Sequence, residues 1–424
     1  HMRFVPLPGP QTLAYLSQAD VLLYGGQAGG GKDLALDTQL PTPFGWTTMG
    51  EVVVGDVLFD ENGQHCTVVA KSEVYRNPAY RLTFSDGAQV IAGPGHQWVT
   101  SDSRERDRAL RQSDAWRSKR RASRPSRASG RKSAKFAAAI SARNSARAKT
   151  QALAMCGVRT THQIAESLLR SDGGLNHSIE VSKPLQTEAV ALPIDPYVLG
   201  AWLGDGNTSS AGMTIAEPEM LAAFGGALPA AWQLSKRSGV YAYGIRGGLQ
   251  VALRALGVLG NKHIPIGYLR ASTEQRLALL QGLMDTDGYC DPRGQCEFTQ
   301  VKRRLVDDVL ELVSSLGIKC AISEGIAKLD GREIGPKYRI KFITELPVFR
   351  LARKLIRQKR GGFRGTHNLR YIESIEPVGV VPTQCIQVNS RSSMFLCGRQ
   401  MIPTHNSFLL MGLGSQEHRR SIIF

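Results

Sequence analysis

From residue 34 to residue 101 apolar and polar positions alternate in short runs: FGWTTMG, EVVVGDVLFDENG, CTVVAKSEV, YRLTFSDG and QVIAGPGHQWVT. A period of two, broken by turn sequences such as DENG and FSDG, predicts half-buried strands joined as hairpins. The alternation then stops, and a short helix-like stretch, TTHQIAESLL, stands alone. From Pro193 the pattern changes again. Two apolar runs, PYVLGAWLGDG and QRLALLQGLMDTDG, have helical length, and each precedes a strand-rich stretch. Short strands return between Tyr371 and Asn406 as YIESIEPV, TQCIQVN, SSMFLCG and QMIPTHN. The pattern predicts an all-β unit interrupted by an α/β unit, the latter built from one plan used twice.

Composition adds limits. The 424 residues, 42% of them apolar, are enough for two or three domains with cores of their own. No run approaches a membrane span, and the N-terminus lacks a signal-peptide pattern, so a monomer in the host-cell cytoplasm is expected. Seven cysteines (Cys66, Cys156, Cys290, Cys296, Cys320, Cys385 and Cys397) include no C-x-x-C pair. That argues against a zinc site or a disulfide framework and fits a reducing cytosol. The net charge of +17 is uneven: Arg104 to Lys149 holds sixteen Lys or Arg against Glu105, Asp107 and Asp114. This segment is rich in Ala, Ser and Arg and cannot build a core alone. It reads equally as a solvated basic linker or as a segment that folds against DNA phosphates.

The two ends complete one motif. Residues Gly25 to Lys32, GGQAGGGK, lead into Asp33, where a phosphate-binding loop needs Ser or Thr. Deleting Asp33 to Asn406 joins Lys32 to Ser407 and gives YGGQAGGGKSFLLMGLG, a strand, a complete P-loop and an apolar helix. The flanking fifty residues resemble the start of a phage large-terminase ATPase. With no second acidic motif, neither the interrupted nor the joined chain is expected to hydrolyse ATP.

The boundary residues carry acyl-transfer chemistry. The Asn406 amide can attack its own carbonyl, form a succinimide and break the bond to Ser407. His405 can supply a proton at that bond. The Ser407 hydroxyl can receive an acyl group and pass it to its own freed amine. The chain here resembles inteins: LALDTQLPTPFGWTTMGEVVVGDVLFDENG is similar to their opening block and QMIPTHNS to their closing block. The resemblance implies the Hint fold over about residues 33–101 and 367–406. Most inteins begin with Cys or Ser, but this segment begins with Asp33, which cannot form a thioester.

The segment resembles the less common class 3 inteins, which use an internal cysteine and carry a Trp, Cys and Thr set. Trp98 lies two residues after His96, the histidine that would activate the first bond. Cys385 lies in the strand before the closing block, and Thr404 precedes His405-Asn406. Gly93 departs from the T-x-x-H form of the histidine block. Taken singly, Cys385 reads as a small core residue and Trp98 as packing; the set together implies catalysis.

The central region resembles LAGLIDADG homing endonucleases. PYVLGAWLGDG and LLQGLMDTDG are similar to the paired signature helices, with Gly200 and Gly282 at the close approach. The resemblance implies Asp205 and Asp287 as catalytic acids holding Mg²⁺ over the scissile phosphates of double-stranded DNA, with β-ribbons in the major groove. Asp285 falls at a position that packs the helix. Lys262 in KHIP matches a basic block between the helices, and Lys341 in YRIKF is its expected counterpart. The expected organisation is 1–32 N-terminal flank, 33–102 Hint, 103–185 basic linker or DNA-recognition segment, 186–366 LAGLIDADG endonuclease, 367–406 Hint and 407–424 C-terminal flank. The expected function is self-splicing, cofactor-free, plus metal-dependent cleavage of the uninterrupted host gene. Competing readings are a DNA-binding but inactive endonuclease and a plain P-loop ATPase.

Overall fold

A computed structural model of the chain describes residues 32–112, 157–359, 361 and 365–405. The expected interruption of one all-β unit by an α/β unit is what the chain adopts. In the β unit, strands Leu34–Ala35, Gln89–Ala92, Tyr75–Phe84, Leu369–Gln384 and Ser178–Glu180 lie side by side in that order, all antiparallel. The opening strand is held from both sides, because Leu34 pairs with Ala92 and also with Gln384. The two ends of the sequence therefore meet in one sheet.

Alternation decides which faces are covered. Val90 and Ala92 are buried while Gln89, the first residue of the same strand, is exposed. Leu34, Leu82, Phe84, Trp98, Ile372, Phe395 and Ile402 share one apolar core. The predicted turns form where expected. Gly63 closes DENG with φ +75, and its missing Cβ leaves room for the Pro184 carbonyl, which would lie 2.0 Å from such an atom. Within the segment 103–185, residues 157–180 join this same unit. Gly157–Thr160 pairs with Gln97–Thr100, and the helix Thr161–Glu166 buries Ile164 in the core.

The α/β unit is organised by two helices, Pro196–Asp205 and Thr273–Asp287. Asp195 caps the first through the backbone N–H groups of Tyr197 and Val198, with Pro196 in the first turn, where its missing donor costs nothing. A reciprocal Ser272–Gln275 capping box starts the second. The first helix is apolar nearly all round, as an interior helix must be. A Cβ on Gly200 would stand 2.1 Å from the Leu279 carbonyl oxygen, and one on Gly282 would stand 2.2 Å from that of Tyr197. Backbone meets backbone there, so both positions exclude every other residue. Each helix is followed by an antiparallel sheet, of three strands (Met213–Thr214, Gln233–Lys236, Ala242–Arg246) and four strands (Gly288–Cys290, Cys296–Gln300, Cys320–Leu329, Arg332–Phe342) respectively.

The two units share a buried polar junction. Arg270 pairs with Glu311 at 2.7 Å, with the two side chains 4% and 2% exposed. The same guanidinium donates to the carbonyls of Thr42 (2.7 Å) and Gly45 (2.9 Å) in the β unit. Trp46 donates its indole N–H to Glu311 at 3.1 Å. At a second point, Lys319 donates to Ser85 Oγ and the Leu369 carbonyl.

Candidate functional site

The first site forms around the Lys32–Asp33 peptide bond. Cys385 directly follows the long strand whose Gln384 pairs with Leu34. Its backbone is fixed by Ser72, whose N–H donates to the Cys385 carbonyl at 2.9 Å while Ser72 Oγ accepts from the Cys385 N–H at 3.1 Å. The thiol is buried at 4% exposure and close enough to interact electrostatically with the Lys32 amine. His96 follows the strand whose Ala92 pairs with Leu34 from the other side. Its ring is fully buried, and its Nε2 is hydrogen-bonded to Thr404 Oγ1 at 2.5 Å. Burial pushes the imidazole down to about 3, only partly offset by hydrogen bonding with the Lys32 and Asp33 backbones, and nearby His405 opposes its charge further. It is a neutral imidazole at any physiological pH.

Of the expected set, the fold brings Cys385, His96, Thr404 and His405 to one place. Thr404 and His405 lie on strand Ile402–His405, paired with Phe395 and Met394. Trp98 stacks edge-on against His96 at 4.9 Å and donates its indole N–H to Thr161 Oγ1, so it fixes the ring rather than facing the bond. Asn406, Ser407 and the glycine cluster Gly25–Gly31 lie outside the described residues, as does most of the basic segment.

Two apparent departures in the sequence turn out to be one. Asp33 is fully buried, and Thr383 donates its hydroxyl to Asp33 Oδ2. A Cβ on Gly93 would stand 2.1 Å from Asp33 Oδ1. Any side chain at position 93, including the usual Thr, would collide with the Asp33 carboxyl. Sequence reading also missed Arg370. It is fully buried with Asp86 at 2.5 Å and donates to the Gln400 carbonyl, so it holds the turn that launches the closing strand.

The second site lies where the paired helices end. Asp205 and Asp287 are their last residues. Burial raises Asp205 above the usual carboxylate range, with Lys262 and Lys354 pulling back. Burial first, and repulsion from Asp205 second, push Asp287 up to about 6. Gln300 donates to Asp287 Oδ2 at 3.0 Å. Lys262 donates to the Leu203 and Gly204 carbonyls at 2.9 and 3.0 Å, and burial brings it down to about 8. Asp285 takes the hydroxyl of Tyr197 at 2.9 Å and the N–H groups of Arg350 and Leu351, the packing role expected of it.

Lys341 is not the counterpart of Lys262. Its ammonium lies 3.7 Å from Glu297 on a partly exposed sheet face. The counterpart is Lys354, whose ammonium donates to the carbonyls of Met284, Asp285, Thr286 and Gly288, capping the end of the second helix as Lys262 caps the first. Among the described residues no group of three or more His, Cys, Asp or Glu converges. Two hard carboxylate oxygen donors, mutually repelling and partly desolvated, suit an oxygen-preferring divalent cation that draws its remaining ligands from outside the chain. Among the same residues no helix is long and apolar enough to cross a membrane.

A family model described as a LAGLIDADG-like domain matches residues 274–373. A replicative DNA helicase DnaB of Mycobacterium intracellulare is 38% identical over 415 residues, 96% of this chain and 64% of that protein. The chain thus spans a little under two thirds of that relative's length. The crystal structure of the MchDnaB-1 intein (N145AA) is 15% identical, with 88% of this chain and 99% of that one covered, at a TM-score of 0.26. The Msm DnaB1 intein splicing domain bound with zinc is 53% identical over 16% of this chain and 53% of its own, at a TM-score of 0.16. The expected terminase-like host is not supported, since the relative matched over 96% of this chain is a replicative DNA helicase.

Proposed function

We propose that this chain, an all-β Hint domain interrupted by an α/β LAGLIDADG domain, is an intein that excises residues 33–406, joins Lys32 to Ser407, and cuts the DNA of its uninterrupted host gene. One observation carries the splicing chemistry: Leu34 is clamped between the strand that leads directly into Cys385 and the strand that leads to His96. The bond to be broken therefore lies between an attacking thiol and a proton carrier.

In this reading Cys385 Sγ adds to the Lys32 carbonyl carbon. The C–N bond to Asp33 breaks, and the thiol proton leaves on the Asp33 nitrogen through neutral His96, which Thr404 holds in place. Ser407 Oγ then takes the acyl group from sulfur. Asn406 Nδ2 attacks its own carbonyl, with His405 protonating the departing Ser407 nitrogen, and the resulting ester rearranges to an amide. Each step exchanges one acyl bond for another, so no ATP is needed, and proximity supplies much of the rate.

Asp205 and Asp287 would hold Mg²⁺, which supplies charge neutralisation and an activated water at a phosphodiester. Lys262 and Lys354 keep the two helix ends closed around those acids. The DNA-facing sheets and the basic segment engage a duplex as a monomer, in a reducing cytosol. Incubating purified protein and recording intact masses over time should show free intein and a ligated fifty-residue product. Replacing Cys385 by Ala should remove both, and normal ligation by that variant would overturn the internal-nucleophile reading.

A further inference from the structure

Asp33 poses a question that the splicing scheme leaves open. Its side chain is fully buried, yet Oδ1 has no hydrogen-bond partner. Oδ2 is served by Thr383 and, at 3.4 Å, by Asn77. A buried acceptor without a donor is unfavourable and rare enough to need a reason. The surroundings are cut to admit it, since Gly93 leaves open the very volume that Oδ1 fills. Before the first step, the nitrogen of Asp33 is an amide with one hydrogen. After that step it is an amine with two, the second drawn from the thiol, and with room for a third as an ammonium.

We propose that the Asp33 side chain is the acceptor for its own liberated α-amine, holding it as an ammonium and so suppressing its return to the Cys385 thioester. The inference rests on the splicing reading with Cys385 as nucleophile. The exchange balances: thiol and amide become thioester and amine, and the amine takes one further proton from solvent. Only the neutral amine can attack sulfur-bound acyl in reverse. A carboxylate beside the ammonium in a dry site stabilises the charged form, shifting the equilibrium towards the branched species. The titratable groups electrostatically coupled around this position are His96, Lys32, Tyr75 and Cys385, with His405 acting on His96. All of these are common to the variants compared below.

The test isolates the first exchange in a chain carrying Asn406→Ala and Ser407→Ala. Samples held between pH 6 and pH 10 are quenched in acid, and branched and unbranched chains are separated on denaturing gels. The branched band should vanish with dithiothreitol and with Cys385→Ala; if no such band forms at any pH, the splicing reading fails and this inference with it. Given the band, Asp33→Asn keeps the side-chain shape and the bond from Thr383 but loses the charge. Its branched-to-unbranched ratio should be about tenfold lower at pH 7, the effect of a one-unit shift in an α-amine that ordinarily titrates near 8. The gap should shrink to about twofold at pH 9 and close by about pH 10, where the amine is neutral in both proteins. A structural role alone would give a gap of equal size at every pH. Either that result or no gap would overturn the inference, and because each ratio is internal to one sample, partial misfolding of a variant does not mimic the pH trend.

Discussion

The two candidate sites are assembled by the same device and differ in almost everything else. Each collects residues from chain segments far apart in sequence, one at the ends of antiparallel strands, the other at the ends of two touching helices. Around Lys32–Asp33 the site is dry: His96 is fully buried and neutral, and Cys385 is nearly inaccessible. At the helix ends the site is charged: two carboxylates and two lysines share a small volume, and burial and the repulsion of Asp205 raise Asp287 despite those lysines. In the proposed function the first centre has its substrate covalently attached and needs no entrance, whereas the second would have to receive a metal and a polyanion. A site's openness and charge thus follow from how its substrate reaches it.

That contrast can be broken most sharply at Asp287. Asp287→Asn should lower DNA cleavage by more than about 100-fold, above the range seen when only an outer ligand partner is lost. Splicing by the same protein should continue at the unmodified rate. A plasmid carrying the joined host sequence, incubated with Mg²⁺, and intact mass read the two activities from one preparation. Loss of both would show that the sites are not independent.

A smaller effect is expected from Arg370→Met. It leaves Asp86 charged with its partner gone and both formerly unexposed. Breaking such a pair costs about 3–5 kcal/mol. Urea unfolding should show the β unit losing that much stability, and release of the C-terminal flank should slow more than formation of the branched species, since Arg370 anchors the turn before Thr404. Equal slowing of both steps would assign Arg370 to general stability.

The mildest test is pH. Asp287 titrates near 6, above the ordinary carboxylate range, so it holds a proton where most carboxylates are charged. Mg²⁺ affinity, measured by calorimetry, should fall as pH drops below about 6, approaching tenfold per unit. His96, brought down to about 3, does not change charge across the same window. A fall in thioester formation that tracked Mg²⁺ affinity would contradict the separation.

What the sequence disclosed, it disclosed through local rules. The alternation in QVIAGPGHQWVT, the turn in DENG and the two apolar helices each declare themselves within a few residues. Gly200 and Gly282 were legible because close helix contact tolerates only glycine. Lys354 was not legible: in LARKL it is one basic residue among several, and nothing in its spacing points to the end of a helix seventy positions earlier. Asp33 and Gly93 were each visible as a departure, but their complementarity is a fact of shape, not of pattern. Residues 157–180 follow a basic stretch and carry few apolar side chains, so their place on the β unit depends on pairing partners that sequence does not name.

The Arg270–Glu311 junction has a consequence for how such elements lose their parts. An endonuclease that spreads through populations and then has nothing left to cut is free to decay, but here it is bolted to the splicing unit and not merely strung from it. A deletion that removed the α/β unit would strip the cover from Trp46 and release the Thr42–Gly45 hairpin end from the guanidinium that holds it. The survivor would present an aromatic face where it had an interface. Shrinking the element therefore takes at least two changes, one to cut the passenger out and another, at or beside Trp46, to resurface the place where it stood.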